Sequence, residues 1–223
     1  MTHSYKLVRS RRKSIALTLS LRDGTLTVRA PLRVPLSALE RFVDERQAWI
    51  ETRQKQIRAD IESSQRNYDE GEYFRYLGSE YPLVHVDESR KALSFDGEKF
   101  VLFRGSRWRA KRLFADWYSS QAKRILTDRT TLFSETWRIP HARIHVRDMK
   151  SRWGSCRRDG ALSFNVRLVL SPLPVLDSVV AHELAHIVHR DHSPQFWKFA
   201  STLCPEIRHH GAWLKKNGHL LVW

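Results

Sequence analysis

The sequence predicts an α+β protein: a β-rich N-terminal part with one long helix, then a mainly helical part around a small sheet. Residues 14–30 and 73–103 contain short stretches of alternating apolar and polar residues that are separated by turn signals. Residues 106–137 contain no glycine or proline, which indicates a long helix. Residues 176–190 form an apolar stretch that is typical of a buried helix.

The N-terminal elements follow from their turn and cap signals. Residues 14–19 and 25–30 alternate and flank an Asp-Gly pair, which is a strong signal for a hairpin turn. Ser37, with a glutamate three residues later, is placed to cap a helix over about residues 37–64. Alternation predicts four further short strands, at Tyr73–Leu77, Tyr81–Val86, Ala92–Phe95 and Lys99–Phe103.

The second half is predicted to be mainly helical. The helix over 106–137 ends before an Ile-Pro pair, because proline cannot continue a helix. Its buried side is predicted from six apolar residues, Trp108, Leu113, Trp117, Ile125, Leu132 and Phe133. The remaining predicted elements are strands over 143–148 and 161–170, a connecting loop over 151–156, a helix over about 176–190 and a helix that begins near Ser193.

The net charge of +15 is unevenly spread. Residues 1–60 contribute +7 and residues 106–160 contribute +9, whereas residues 61–105 contribute −3. This change predicts a boundary near residue 105, with a β-rich region over 1–105 and a second region over 106–223. The positive charge favours anionic partners such as nucleotides or nucleic acid, and a well-solvated surface explains it equally well.

The chain shows no sign of a membrane or secreted protein. No stretch approaches the ~18 consecutive apolar residues of a membrane span, so we expect no membrane partner. The N-terminus is polar and basic, which disfavours a signal peptide. Cys156 and Cys204 lie far apart and suggest no disulfide framework. We therefore expect a cytoplasmic protein.

The strongest functional signal is the string His182-Glu183-Leu184-Ala185-His186. Helical residues four apart project from one face, so His182 and His186 can reach one metal ion. Glu183 is placed to take a proton from a water molecule that zinc has made acidic. With 11 histidines in the chain, this pattern is expected by chance only about 0.03 times. A catalytic zinc site is therefore favoured over incidental histidines, and over a structural zinc site, which usually contains cysteine.

An open tetrahedral zinc site needs a third protein ligand. His192 is favoured, because a turn after the helix can bring it toward the ion from a new direction. His189 competes for this role, since on a continuous helix it would face the same side as His186. Three ligands from one straight helix would, however, crowd the ion. Requiring a histidine at one further set position lowers the chance expectation to about 0.001.

These motifs resemble those of the YgjP-like metallopeptidase family, also called domain of unknown function 45, which is related to SprT-like and M48-type zinc peptidases. The resemblance rests on the His182–His186 string followed by His192-Ser193-Pro194-Gln195-Phe196-Trp197, on Trp153-Gly154-Ser155-Cys156, and on Ser163-Phe164-Asn165 with Leu168 and Pro172. Arg12-Lys13, Ala30-Pro31, Trp49-Ile50 and residues 71–81 also fit. The resemblance thus covers nearly the whole chain.

The resemblance implies that residues 106–223 are a zinc metallopeptidase core of the minimal gluzincin-like kind: a long helix, a small antiparallel-containing sheet and an active-site helix. It also implies that His182, His186 and His192 are zinc ligands, that Glu183 is the general base, and that the substrate is a peptide or protein. The histidine spacing equals that of metzincins. His189 stands where those enzymes have glycine, which argues against a metzincin-type turn.

Several roles stay open at this point. The Trp153–Cys156 segment is predicted either to line the zinc cleft or to fill the core with its tryptophan. Cys156 is expected to be a small buried group rather than a nucleophile or ligand, and Asn165 is expected to be structural. The oxyanion-stabilising residue has four candidates, Tyr118, His141, His145 and Arg152.

Three functions are compatible with the sequence. The first is a zinc-dependent peptidase with Glu183 as general base. The second is a metal-dependent hydrolase of a nucleoside triphosphate, in which basic residues hold the phosphates, although the chain has no Gly-rich phosphate loop. The third is a nucleic-acid-associated protease, suggested by the basic N-terminus and the basic helix over 106–137, although no DNA-binding motif is recognised.

Overall fold

A computed structural model describes residues 4–20, 23–63, 66–149 and 152–223, except for the side chains of residues 60–63. The chain packs as two compact units, residues 1–65 and 66–223. Both combine helices with small sheets, which confirms the α+β prediction. Packing places residues 66–105 in the second unit, whereas the charge pattern assigns them to the first. Among the described helices, none has the length and apolar character needed to cross a bilayer.

The first unit is a three-stranded sheet with two helices. Its elements are β1 (Lys6–Ser10), β2 (Ala16–Leu19), β3 (Leu26–Pro31), α1 (Leu36–Asp44) and α2 (Gln47–Ser63). The central strand β3 is antiparallel to β2, as the hairpin signal predicts, and parallel to β1. Alternate β3 residues, Leu26, Val28 and Ala30, are buried in one cluster with Leu39 and Val43 of α1.

The single helix that the sequence predicts over 37–64 is in fact two helices. The first helix follows Pro35, whose side chain offers no hydrogen-bond acceptor, so Ser37 lies in the first turn and is not the cap. The amides of Glu45 and Arg46 close α1 by donating to the carbonyls of Arg41 and Val43, respectively. Two residues then separate α1 from α2, so the apolar spacing continues across a break in the hydrogen-bond ladder.

The second unit contains two sheets and four helices that share one core. Its elements are β4 (Tyr73–Tyr76), β5 (Ser79–Val86), β6 (Leu93–Phe95), β7 (Phe100–Phe103), α3 (Ala110–Trp137), β8 (Ile144–Arg147), β9 (Gly154–Cys156), β10 (Leu162–Asn165), α4 (Leu173–Val188), α5 (Pro194–Leu203) and α6 (Ile207–Asn217). The four predicted short strands form the sheet β4-β5-β7-β6. Gly78, in the β4–β5 turn, has φ +87°, and an added Cβ would lie 2.9 Å from Pro172, so this position requires glycine.

The prediction for the buried side of α3 is correct in part: Ile125 is buried, and Leu113, Trp117 and Phe133 pack against the core. Trp108 lies in a short 3₁₀ helix before α3 and is 83% exposed, and Leu132 is also exposed. The buried face is Ala110, Phe114, Tyr118, Ala122, Ile125, Leu126 and Thr130. The apolar spacing did not identify the whole face, because it includes two alanines and a threonine, whose hydroxyl donates to the Leu126 carbonyl at 2.6 Å.

The second sheet has the order β8-β10-β9, with β10 parallel to β8 and antiparallel to β9. The strand predicted over 161–170 ends at Asn165, whose side chain accepts from the Arg167 amide and starts a 3₁₀ helix over Val166–Leu170. Part of the predicted 151–156 loop is the strand β9, and residue 151 lies outside the described residues. The helix α6 was not predicted.

Candidate metal centre

The helix α4 carries the first two histidines of the site. Its residues are apolar on most sides, so the helix is buried and its direction is fixed by the core. Asp177 accepts two hydrogen bonds of 2.6 Å from Arg129 on α3, which ties the two helices together. His182 and His186 then lie one turn apart, with their ring centroids separated by 4.8 Å.

The end of α4 brings the third histidine into place. The helix stops at Val188, and His189 has an extended backbone (φ −122°, ψ 113°). The chain turns and α5 begins at Pro194, with the Ser193 hydroxyl accepting from the Phe196 amide, as the cap signal predicts. The turn returns His192 to the other two rings, at 4.6 Å and 5.1 Å.

His189 does not join this cluster. Its ring lies against Phe199, with centroids 5.6 Å apart. Its backbone carbonyl instead accepts a hydrogen bond of 3.1 Å from Nδ1 of His186. A proton on Nδ1 leaves the lone pair of the ring on Nε2, where it can bind a metal. A hydrogen bond from the other ring nitrogen to a backbone carbonyl is the usual outer support of a metal-binding histidine.

The three rings lie close enough together to hold a metal ion. One ligand atom from each of His182, His186 and His192 lies within 4.8 Å of the others. Nε2 of His182 and Nε2 of His192 are 3.2 Å apart. Two nitrogens bound to one tetrahedral zinc at about 2.0–2.1 Å are separated by about 3.3 Å, so this pair is already at the spacing that such an ion requires.

The electrostatics of the cluster suit a cation. Burial, followed by the charges of His186 and His192, lowers the pKa of His182 to about 4. Burial also lowers the pKa of His186. Both rings are therefore neutral at pH 7, which is the state in which imidazole donates a lone pair to a metal.

Glu183 lies beside the cluster and is 5% exposed. Burial raises the pKa of its carboxyl group to about 8, and the nearby charge of Arg152 opposes this rise. Within the described part of the chain, no donor forms a hydrogen bond with the carboxylate. It lines the same cleft as His182, so it is positioned to exchange a proton with a molecule in that cleft.

The backbone of β9 passes directly against Glu183. A Cβ added to Gly154 would lie 2.6 Å from Cγ of Glu183 and 2.8 Å from its Cδ. Glycine at this position therefore allows the strand and the carboxylate to be in contact. Trp153 of the same motif lines the cleft and also packs on Gly218. The two roles predicted for this segment, lining the cleft and filling space, are therefore combined in one side chain.

Side chains outside the cleft hold this segment in position. The side-chain amide of Asn165 donates to the carbonyls of Met149 (2.8 Å) and Arg152 (3.1 Å), so Asn165 is structural, as expected. Arg190 donates to the Arg157 carbonyl at 2.9 Å. Burial raises the pKa of the Cys156 thiol, which opposes a role as nucleophile.

None of the four candidates for the oxyanion-stabilising residue lines the cleft. Tyr118 is fully buried, and its hydroxyl donates to the Arg75 carbonyl at 2.8 Å, away from the cleft. His141 and His145 do not line the cleft. Arg152 is exposed, and its charge acts on Glu183.

The cleft itself has a volume of about 620 Å³. Sequence reasoning missed one of its walls, which is provided by α6 with Trp197 of α5 beside it. The signal for it was a helical spacing of Arg208, Gly211, Ala212 and Lys215, in which small residues lie between two cations.

Comparisons with known proteins place this site in a family. Among solved structures, the metallopeptidase zymogen of Pyrococcus abyssi abylysin is similar to this chain at 16% identity and a TM-score of 0.37, covering 41% of this chain and 93% of that chain. No curated protein matches the chain. The model of the YgjP-like metallopeptidase domain matches residues 14–217, which include the histidine cluster, Glu183 and the β9 motif. The chain therefore belongs to the YgjP-like metallopeptidase family.

Proposed function

We propose that this metallopeptidase uses zinc held by His182, His186 and His192, and that Glu183 is its general base. The observation that carries the proposal is the convergence of three imidazole ligand atoms within 4.8 Å, next to a buried carboxylate that lines the same cleft. Membership of a metallopeptidase family supports a peptide or protein as the substrate.

The residues divide the chemistry between them. When bound, zinc supplies a Lewis acid that polarises a carbonyl and makes water acidic enough to lose a proton near neutral pH. Glu183 takes that proton on its carboxylate and then donates it to the nitrogen of the leaving amine. Burial favours the neutral form of this carboxyl group, which helps it to hold the proton between these two steps. The His189 carbonyl keeps His186 in the tautomer that it needs.

The decisive variant is Glu183→Gln, which keeps the shape of the side chain but cannot accept the proton. We expect it to bind zinc like the wild type, measured by elemental analysis, and to lose at least about 100-fold in kcat on a peptide substrate. Glu135→Gln, an exposed position on α3, is the matched control and should keep full activity. A zinc-loaded Glu183→Gln protein with wild-type activity would show that the general base is wrong.

The ligand set needs its own test. Chelation should abolish activity and lower the melting temperature, because a metal that binds only the folded state stabilises it. Adding zinc should restore both. If the untreated wild-type protein contains no zinc and its melting temperature does not respond to added zinc, the ligand assignment is refuted.

One observation favours phosphoanhydride hydrolysis as a second candidate. Arg208 and Lys215 on the cleft wall could hold phosphate oxygens as well as carboxylates. The two functions are distinguished by presenting the zinc-loaded protein with peptides and with nucleoside triphosphates. Phosphate release that depends on Glu183, without peptide cleavage, would favour the second.

Ion pairs around the start of α3 weaken the proposal of a nucleic-acid-associated protease. Three arginines around the start of α3 lie within 4 Å of carboxylates, in the pairs Arg104–Asp87, Arg107–Asp69 and Arg112–Asp116. Ion pairing of this kind leaves less charge for a phosphate backbone. Binding that does not weaken as salt concentration rises would count against this function.

A further inference from the structure

One wall of the cleft is positively charged, and peptide-bond hydrolysis alone does not account for it. The wall is a face of α6 whose residues recur at spacings of three and four. Its exposed members are Arg208, Gly211, Ala212 and Lys215. The buried Ile207 and Leu214 provide an apolar surface beneath them. A ligand in the cleft would therefore meet an apolar floor with a cation near each end.

Arg208 is held close to the histidine cluster by an aromatic contact. Its guanidinium lies 4.8 Å from the ring of Trp197, which corresponds to a cation–π interaction. The Trp197 ring is in turn 5.9 Å from the rings of His182 and His192. Trp197 therefore lies close to both the cluster and Arg208, and its ring favours a position of the cation on this wall.

The charges of this wall have no internal partner. Among the described residues, no carboxylate lies within ion-pair distance of Arg208 or Lys215, and Glu183 is the one acid that lines the cleft. Elsewhere in the same unit, arginines are commonly paired, as Arg129 is with Asp177. Unpaired cations along a cleft with apolar walls attract anions more strongly than the same cations on an open surface.

The wall also leaves room for a chain between its cations. A Cβ added to Gly211 would meet no atom within 4 Å, and Ala212 beside it projects only a methyl group. The contacts through Trp197 place the Arg208 guanidinium no further than about 11 Å from the His182 ring. This distance corresponds to about three residues of extended peptide.

From these observations we propose that Arg208 binds a carboxylate group of the peptide substrate, within about three residues of the bond that is cut, and that the charge of Lys215 on the same wall adds to the attraction. The inference rests on the proposed function, because it takes the cleft as the peptide-binding site. The carboxylate has two sources, an acidic side chain or the C-terminus of the substrate, and both offer the same group to the wall.

Matched peptides separate the two sources. One series carries glutamate or glutamine at each position within three residues of the cut bond, with an amidated C-terminus. A second series carries glutamine throughout, with a free or an amidated C-terminus. We expect kcat/KM to be roughly two- to fivefold higher for the carboxylate member of one series, as for a partly exposed ion pair. The preference should shrink as salt rises.

Variants assign the preference to the wall. The double variant Arg208→Gln/Lys215→Gln should cleave both members of a pair at the same rate. Arg208→Lys, which keeps the charge, should retain part of the preference. Lys216→Gln is the matched control, since Lys216 is the next residue on α6, is also exposed and does not line the cleft. It should behave as the wild type.

Binding provides a readout that does not depend on turnover. The Glu183→Gln protein should bind the carboxylate peptide more tightly than its neutral partner by the same two- to fivefold, measured by fluorescence anisotropy. Equal binding and equal cleavage of both members would overturn the inference, as would a preference that persists in the double variant. If no peptide is cleaved while the carboxylate preference in binding holds, the proposed function fails and the wall assignment stands.

Discussion

Gly154→Ala tests whether the contact between β9 and Glu183 positions the carboxylate. The added Cβ would lie 2.6 Å from Cγ of Glu183, whereas carbon atoms in ordinary contact are about 3.5 Å apart. Either the strand or the carboxylate must therefore move by roughly 0.9 Å. A displacement near 1 Å of a reacting group can lower the rate about 100-fold. The same overlap should destabilise the fold by about 1–3 kcal/mol, since neither neighbour can move freely.

The assay measures kcat, zinc content and melting temperature on the same preparation. We expect a fall of about 100-fold in kcat with zinc still bound, because the atoms nearest to the added Cβ all belong to Glu183. Cys156→Ala on the same strand is the control; it should keep its activity, since the thiol has no role in the proposed chemistry. A Gly154→Ala protein that is folded, contains zinc and has wild-type kcat would refute the proposed effect of this contact.

Three further predictions concern stability, measured by thermal or denaturant unfolding. Gly211→Ala should stabilise the protein by about 0.5–1 kcal/mol, because the position is helical and the methyl group meets open space; a loss of stability would contradict this. Arg129→Gln should destabilise it by about 1.5–3 kcal/mol, because Asp177 is largely buried and loses two charge-assisted hydrogen bonds; an unchanged midpoint would mean that the pair contributes nothing. Trp108→Ser should change stability by less than about 0.5 kcal/mol, because the ring is 83% exposed; a larger loss would show that the ring is packed.

Local signals in the sequence predicted much of the fold. The Asp-Gly pair predicted the β2–β3 hairpin, and Ser193 followed by proline predicted the start of α5. These two predictions were correct because the residues that form a turn or a cap are adjacent in the chain. The histidine spacing on α4 is local in the same sense, so its geometry follows from the helix alone.

Contacts between distant segments were not predictable in this way. The pairing of β1 with β3 is parallel and joins residues about twenty positions apart, and no turn signal marks it. The close approach of Gly154 to Glu183 joins β9 to α4 across the fold. The motif containing Gly154 was visible in the sequence, yet its purpose depends on which residue the strand meets. The role of the cationic wall could not be predicted either, because it depends on α6 and the histidine cluster lining the same cleft.

The position at which α4 ends determines whether the ring of His189 or that of His192 lies beside His182 and His186. A continuous helix would direct both His186 and His189 to one side, whereas the observed helix stops at Val188 and the ring of His189 turns toward Phe199. What His189 contributes is its backbone carbonyl, which any residue can supply. His189→Ala should therefore lower zinc affinity by less than the roughly 10- to 100-fold that follows loss of an outer partner, whereas His192→Ala should lower it by more. Competition with a fluorescent zinc chelator measures both. Equal losses in the two variants would mean that the ring of His189, and not only its carbonyl, takes part in binding the ion.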